Sequence, residues 1–215
     1  MKCIQLVLIL LVCVSCKKEA PIDKTTTLPY YSTNDFTPQW ISPNSDAYKN
    51  IHTIAPFSFT NQDGKIISNK DLEGKIYVAD FFFTTCPSIC PVLTKNMSAI
   101  QEEYSNDDAI KLVSHSVMPW VDTVAVLKEY AINKNITSNK WHLLTGERDE
   151  IYELARTSYF ADEEFVKTQD KSEFIHTENV LLIDKKGSIR GVYNGTLPLE
   201  IKRLMRHIEI LKKEA

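Results

Sequence analysis

Hydrophobic positions along the chain follow two periods, and their alternation sets the expected architecture. Residues 76–83 read IYVADFFF, a nearly continuous apolar run of β-branched and aromatic side chains. Such a run predicts a strand covered on both faces and therefore central in a sheet. From Val92 the spacing changes, with Leu93, Met97, Ile100 and Tyr104 recurring at helical intervals, which predicts a helix with one apolar side. Pro91 suits its first turn. A second strand is expected over Ile110–Val117, then a helix capped by Asp122 and carrying Val126, Leu127, Tyr130 and Ala131. Trp141–Leu144 predicts a short third strand, followed by a helix over Glu147–Arg156. Val180–Ile183 and Ile189–Tyr193 flank the turn Asp184–Gly187 and read as a hairpin, and Leu199, Ile201, Leu204, Ile208 and Leu211 predict a closing amphipathic helix. Another hairpin, Phe57–Phe59 turning at Asn61–Gly64 into Lys65–Ile67, precedes the core. Strand and helix alternate through the middle, so the expected class is α/β with right-handed crossovers.

The N-terminus has a different pattern. Ile4–Val14 is the one long apolar run, too short to span a bilayer. It follows Lys2 and ends in Val14-Ser15-Cys16, the order of a secretory signal with a small-residue cleavage site. Residues 11–16, LVCVSC, resemble a bacterial lipobox, with Cys13 where leucine is usual. That resemblance implies a lipidated Cys16 as first residue of the mature protein; the alternative is a free thiol behind a plain signal anchor. Residues 17 to about 35 are short of aliphatics, hold two prolines and a threonine run, and lack any helical period, as expected of a coil tether. The expected organisation is a lipoprotein signal peptide at 1–15, a lipidated tether at 16–40 and one domain at 41–215. Its place is extracytoplasmic, lipid-anchored to a bacterial membrane on the periplasmic side. The 25 Lys+Arg against 28 Asp+Glu, with no basic stripe, argue against a nucleic-acid partner.

Once Cys3 and Cys13 leave with the signal and Cys16 carries lipid, only Cys86 and Cys90 of the five cysteines remain in the domain. In an oxidising compartment a lone close pair is a disulfide, a redox couple or a metal site. The pair falls at a strand-to-helix turn, where thiols converging on the positive helix end are stabilised as thiolates. Two thiolates and one imidazole would suit soft Cu(I), whereas zinc would want a fourth ligand. A short-loop structural disulfide is the bland alternative. The paired-thiol turn, a parallel strand beside it and a final hairpin plus helix resemble the layout of the thioredoxin-like fold, here with an N-terminal hairpin extension. Layout alone does not choose a function.

The segments FFTTCPSICP (82–91), SVMPWVDT (116–123), LKEY (127–130), LTG (144–146) and HTENVLLID (176–184) together resemble the SCO/SenC family over about residues 50 to 213. The resemblance implies a membrane-tethered copper protein that delivers copper to, or matures, the dinuclear copper site of cytochrome c oxidase. It implies copper binding by Cys86, Cys90 and the distant His176, with Cu(I) the favoured state and Cu(II) left open. The implied partners are the copper subunit of the oxidase, a copper donor protein or thiol reductant, and the membrane through the lipid. One position departs from the family: many members carry Asp-Pro at the end of the second strand, where this chain has Met118-Pro119. Met118 is a soft potential ligand, although gap filling is the commoner use of methionine. Asp122 reads first as a helix cap.

Among the five histidines, His115 and His142 read as satisfied core residues on strands, and His52 and His207 as surface residues. Residues 157–175, with five acidic and two basic side chains just before His176, read as a solvated loop that could place that histidine. The rival function is an extracytoplasmic thiol-disulfide oxidoreductase in which Cys86 and Cys90 are the catalytic pair. Against it, 173–179 contains no proline where thioredoxin-type exchangers place one. A peroxiredoxin-like reading fails because Ala79 and Phe83 stand where that signature needs proline and threonine.

Overall fold

The computed structural model describes residues 22–162, 175 and 177–214. Its strands are Ser58–Asn61 (β1), Ile66–Ser68 (β2), Ile76–Phe82 (β3), Ile110–Ser116 (β4), Trp141–Thr145 (β5), Asn179–Ile183 (β6) and Ile189–Asn194 (β7). Its helices are Asn69–Leu72 (α1), Ile89–Glu103 (α2), Val124–Asn133 (α3), Arg148–Glu153 (α4) and Pro198–Lys213 (α5). One mixed sheet forms in the order β2-β1-β5-β4-β3-β6-β7. Strands β3, β4 and β5 run parallel, and the two flanking hairpins are antiparallel.

All seven residues of β3 are buried, because each parity faces a separate core. Ile76, Val78 and Phe82 pack with Leu93, Met97 and Ile100 of α2 and with Leu204 and Ile208 of α5. Tyr77, Ala79 and Phe81 pack with Phe57, Tyr152 and Tyr159 on the other face. The α/β class, the leading hairpin and the closing hairpin plus helix all match the sequence reading. Two local expectations do not. Thr123, not Asp122, caps α3, its hydroxyl accepting from the Val126 N–H at 3.4 Å. The helix expected to reach Arg156 ends as an α-helix at Glu153 and widens into a π-type turn over Leu154–Ser158.

The chain before β1 wraps the body as an arm. Tyr30 and Gln39 pair with each other, and the Tyr31 N–H donates to the Ile189 carbonyl on the outer side of β7 at 3.0 Å. Buried Arg190 reaches back to the carbonyls of Leu28 (2.7 Å) and Pro29 (3.1 Å). It also pairs with Asp184 at 3.1 Å and Glu214 at 2.7 Å, and lies 4.0 Å from the centre of the Tyr30 ring. Leu28 and Tyr30, inside the stretch whose pattern suggests coil, are thus core residues. Isolated anchors of this kind leave no period to read. The signal peptide and Cys16 lie outside the described residues, among which no helix is long and apolar enough to cross a membrane.

Candidate metal centre

The last residue of β3 leads directly into the cysteine turn, and Cys90 is the second residue of α2. The two thiols are not joined in a disulfide and are nearly buried, Cys86 at 6% and Cys90 at 3% exposure. A helix start leaves N–H groups without partners, and the side chain of the N-cap residue Ser88 makes no capping bond. The Cys86 sulfur fills that role. Burial works against its ionisation, but N–H groups of Cys90, Ser88 and Ile89, with the Cys90 thiol, outweigh it and hold Cys86 below the usual thiol range. Cys90 goes the other way: burial pushes it up to about 12, reinforced by the adjacent Cys86 and by Asp80, and only partly offset by the backbone of Phe83. The two sulfurs therefore hydrogen-bond each other as an unequal pair, one prone to be thiolate and one prone to keep its proton.

The turn is clamped from the neighbouring strand. Fully buried Asp122 accepts from the Thr84 N–H (3.2 Å), the Thr84 hydroxyl (2.5 Å) and the Ser116 hydroxyl (2.5 Å). This carboxylate ties the loop after β3, two residues before Cys86, to the loop after β4. That is its role in place of the expected helix cap. Met118 lies half-exposed at the C-terminal end of β4, where the sequence placed it. Its N–H donates to the Ser116 hydroxyl at 3.1 Å, and its carbonyl accepts from Val121 and Asp122. Trp120, in the same turn, is 55% exposed.

Of two further buried groups, one carried no mark in the sequence and the other departs from its expected surroundings. Asp80, inside the apolar run of β3, accepts from the Ser114 hydroxyl, which in turn accepts from the Trp141 indole at 2.8 Å. Burial raises its carboxyl to about 7 despite the Ser114 bond. His115 is fully buried among Phe57, Phe59, Phe81 and Tyr159, with ring centroids 5.3–5.8 Å away. Neither ring nitrogen has a partner among the described residues, so His115 is a core residue but not the satisfied one expected. Burial lowers it to about 3.

These shifts oppose each other. Asp80 ionises near 3.8 when unfolded and near 7 when folded, so its contribution is present at acid pH and is lost as pH rises through that interval. His115 protonates near 6.5 when unfolded but only near 3 when folded, so its contribution is lost as pH falls below 6.5. Between roughly pH 4 and 6 the two slopes, each up to about 1.4 kcal/mol per pH unit, cancel. Relative to wild type, Asp80→Asn is expected to lose stability with acid and His115→Leu to gain it. At neutral pH His115→Leu should be about 1 kcal/mol more stable, since it removes unpartnered buried nitrogens. Urea midpoints across pH 4 to 7 check this; parallel profiles for the three proteins would refute the pairing.

Residues 45–211 match the SCO1/SenC family model. The chain belongs to the SCO1/SenC family. A SCO1/SenC family lipoprotein from Bacillus anthracis superposes with a TM-score of 0.66 at 30% identity, covering 75% of this chain and 96% of that one. BsSco, a member of the Sco family of cytochrome c oxidase assembly proteins in which a disulfide switch was identified, gives 0.65 at 28% identity, over 76% of this chain and 95% of its own. ScoI of Bradyrhizobium japonicum, solved with copper bound, gives 0.57 at 28% identity, over 72% and 98%. The thioredoxin-like class expected from the sequence is the fold this family shares.

In this SCO1/SenC chain the cysteines come together as expected, whereas His176 lies outside the described residues. Among those residues no cluster of three potential metal ligands forms. The other histidines are engaged elsewhere. The His52 Nε2 lies 2.7 Å from the Ser158 carbonyl and its ring packs on Phe160, and His207 Nδ1 lies 2.8 Å from the Tyr193 hydroxyl. Both are half-buried, not the surface residues expected. His142 is half-buried beside Asn61. The segment expected as a solvated loop is anchored at both ends, with Tyr159, Ala161 and Ile175 buried and Asp162 paired to buried Arg156 at 2.8 Å. Polar residues dominate the segment, in runs such as 162–164 and 167–173, which hides the anchors.

Proposed function

We propose that this protein binds copper through Cys86 and Cys90, with His176 completing the site, and delivers it to the dinuclear copper site of cytochrome c oxidase. In this reading a lipid on Cys16 holds it on the periplasmic side of a bacterial membrane. The observation that supports it is the convergence of two thiols at the first turn of α2, one already favoured as thiolate by three N–H donors. Copper is the cargo here. Soft Cu(I) prefers thiolates over the harder oxygen and nitrogen donors nearby, and its arrival would displace the proton that Cys90 holds. The related ScoI, solved with copper bound, and the related oxidase assembly protein BsSco lend support. Exposed Trp120, in the turn tied to the cysteine turn through Asp122, offers an apolar contact for a docking oxidase subunit or donor protein.

The test is Cu(I) titration against a competing chelator with residues 17–215. Solved relatives align nearly whole to three quarters of this chain, so this part should fold without the anchor. Stoichiometric binding is expected, weakened by His176→Ala by at least the roughly 10–100-fold that loss of a supporting group costs. Binding indifferent to that substitution would remove His176 from the site. Absence of binding would favour thiol-disulfide exchange with a partner's cysteines, the reading the unequal thiols also fit: Cys86 as attacking thiolate and Cys90 as the resolving thiol.

A further inference from the structure

At the sheet end opposite the cysteines, the N-terminal arm and the body enclose a cavity of about 440 Å³, within the range of roughly 300–1,000 Å³ typical of small-molecule sites. Its floor is Ile76, the first residue of β3, and Leu211 of α5; its walls include Leu28, Tyr30, Trp40 and Ile41 of the arm. Cys86 follows the far end of β3, so the length of that strand alone places the cavity about 20 Å from the thiols. Nothing in the copper chemistry uses it.

The polar groups around the cavity are not balanced. Asp184 and Glu214 share the single charge of buried Arg190, at 3.1 and 2.7 Å, so one negative charge is left over. Lys185 and Lys186 also line it, are exposed, and lie in no salt bridge among the described residues. The Lys186 ammonium donates to the Tyr48 hydroxyl, at 2.7 Å. A third cation, Lys24, sits 4.2 Å from the centre of the Trp40 ring. The Trp40 ring N–H is buried and lacks an acceptor among the described residues, a shortfall that a bound acceptor, met by a small turn of that ring, would relieve.

An apolar well whose charged lining keeps a net positive surplus, carried by the lysines at its mouth, matches an apolar chain that ends in a single negative charge. We propose that this cavity binds an amphipathic monocarboxylate, its aliphatic body against Ile76, Leu211 and the aromatic walls and its carboxylate at Lys185 and Lys186. The site is independent of the copper reading and stands or falls without it.

The experiment is calorimetric titration of residues 17–215 with dodecanoate below its micellar concentration, with dodecanol as the uncharged control. One equivalent is expected to bind, with dodecanol and the Lys185→Ala/Lys186→Ala double variant each weaker by about fivefold. Ile41→Trp, which fills the well, should abolish binding; the lysine variants change only exposed side chains and keep the test informative if Ile41→Trp fails to fold. No saturable binding by wild type would overturn the proposal. So would several equivalents bound as to a detergent, or equal affinities for dodecanol, wild type and the lysine variants.

Discussion

Serine at either Cys86 or Cys90 is expected to weaken Cu(I) binding by more than the roughly 10–100-fold that loss of a merely supporting group around a metal costs. A serine hydroxyl stays protonated and is a hard donor, so each substitution leaves a single sulfur where the soft ion needs two. The folded state should tolerate both changes differently. At position 86 the oxygen of serine can still accept from the first-turn N–H groups that Cys86 now receives, because serine is itself a good cap. At position 90 the hydroxyl enters a nearly closed site in the same core cluster as Leu93 and Phe82, beside Asp80 and the Phe83 backbone, and should cost about 1–2 kcal/mol. Chelator competition and urea midpoints measured on the same samples separate the two effects. Cu(I) retained within tenfold of wild type by either variant would refute the two-thiolate site.

The largest effect on the scaffold is expected from Asp122→Ala. Three donors converge on this one buried carboxylate, from the Thr84 amide, the Thr84 hydroxyl and the Ser116 hydroxyl. Leaving buried donors without an acceptor costs about 1–3 kcal/mol each, so a loss of about 3 kcal/mol or more is expected in a chemical melt. Asp122→Asn keeps the shape and one acceptor oxygen and should lose about half as much. Because Thr84 precedes Cys86 by two residues, Cu(I) affinity should fall about tenfold in the alanine variant even where it remains fully folded. An unchanged affinity alongside the stability loss would mean that the clamp serves the fold alone.

How much of this was legible follows the period of each signal. The central strand, the helix after it and the paired thiols at their junction were readable because burial on both faces leaves a continuous apolar run and the CxxxC spacing is local. Asp80 was hidden by the same run: one polar residue among seven buried ones carries no mark of its Ser114 and Trp141 partners, which come from two other strands. Asp122 was misassigned because Asp122 and Thr123 are both good caps, and only the position of Thr84 decides between them. His115 fitted a strand alternation correctly but without its neighbours, and four aromatic rings from β1 and the residue before it, β3 and the stretch after α4 make its surroundings apolar. The N-terminal arm docks through a few scattered residues, a mode of packing that periodicity cannot register.

That arm has a consequence for how many copies can share a surface. Strand β7 is the outermost on its side of the sheet, and a bare outer strand is a template on which a second molecule can add its own. Here the Tyr31 amide already occupies the Ile189 carbonyl, and Arg190 fastens the chain just before that contact, at Leu28 and Pro29. The opposite outer strand, β2, is three residues long, too short to recruit a neighbour. If the proposed lipid anchor gathers such molecules side by side, they meet along flanks that are in part already taken, which leaves the cysteine end of the sheet as the place for a partner.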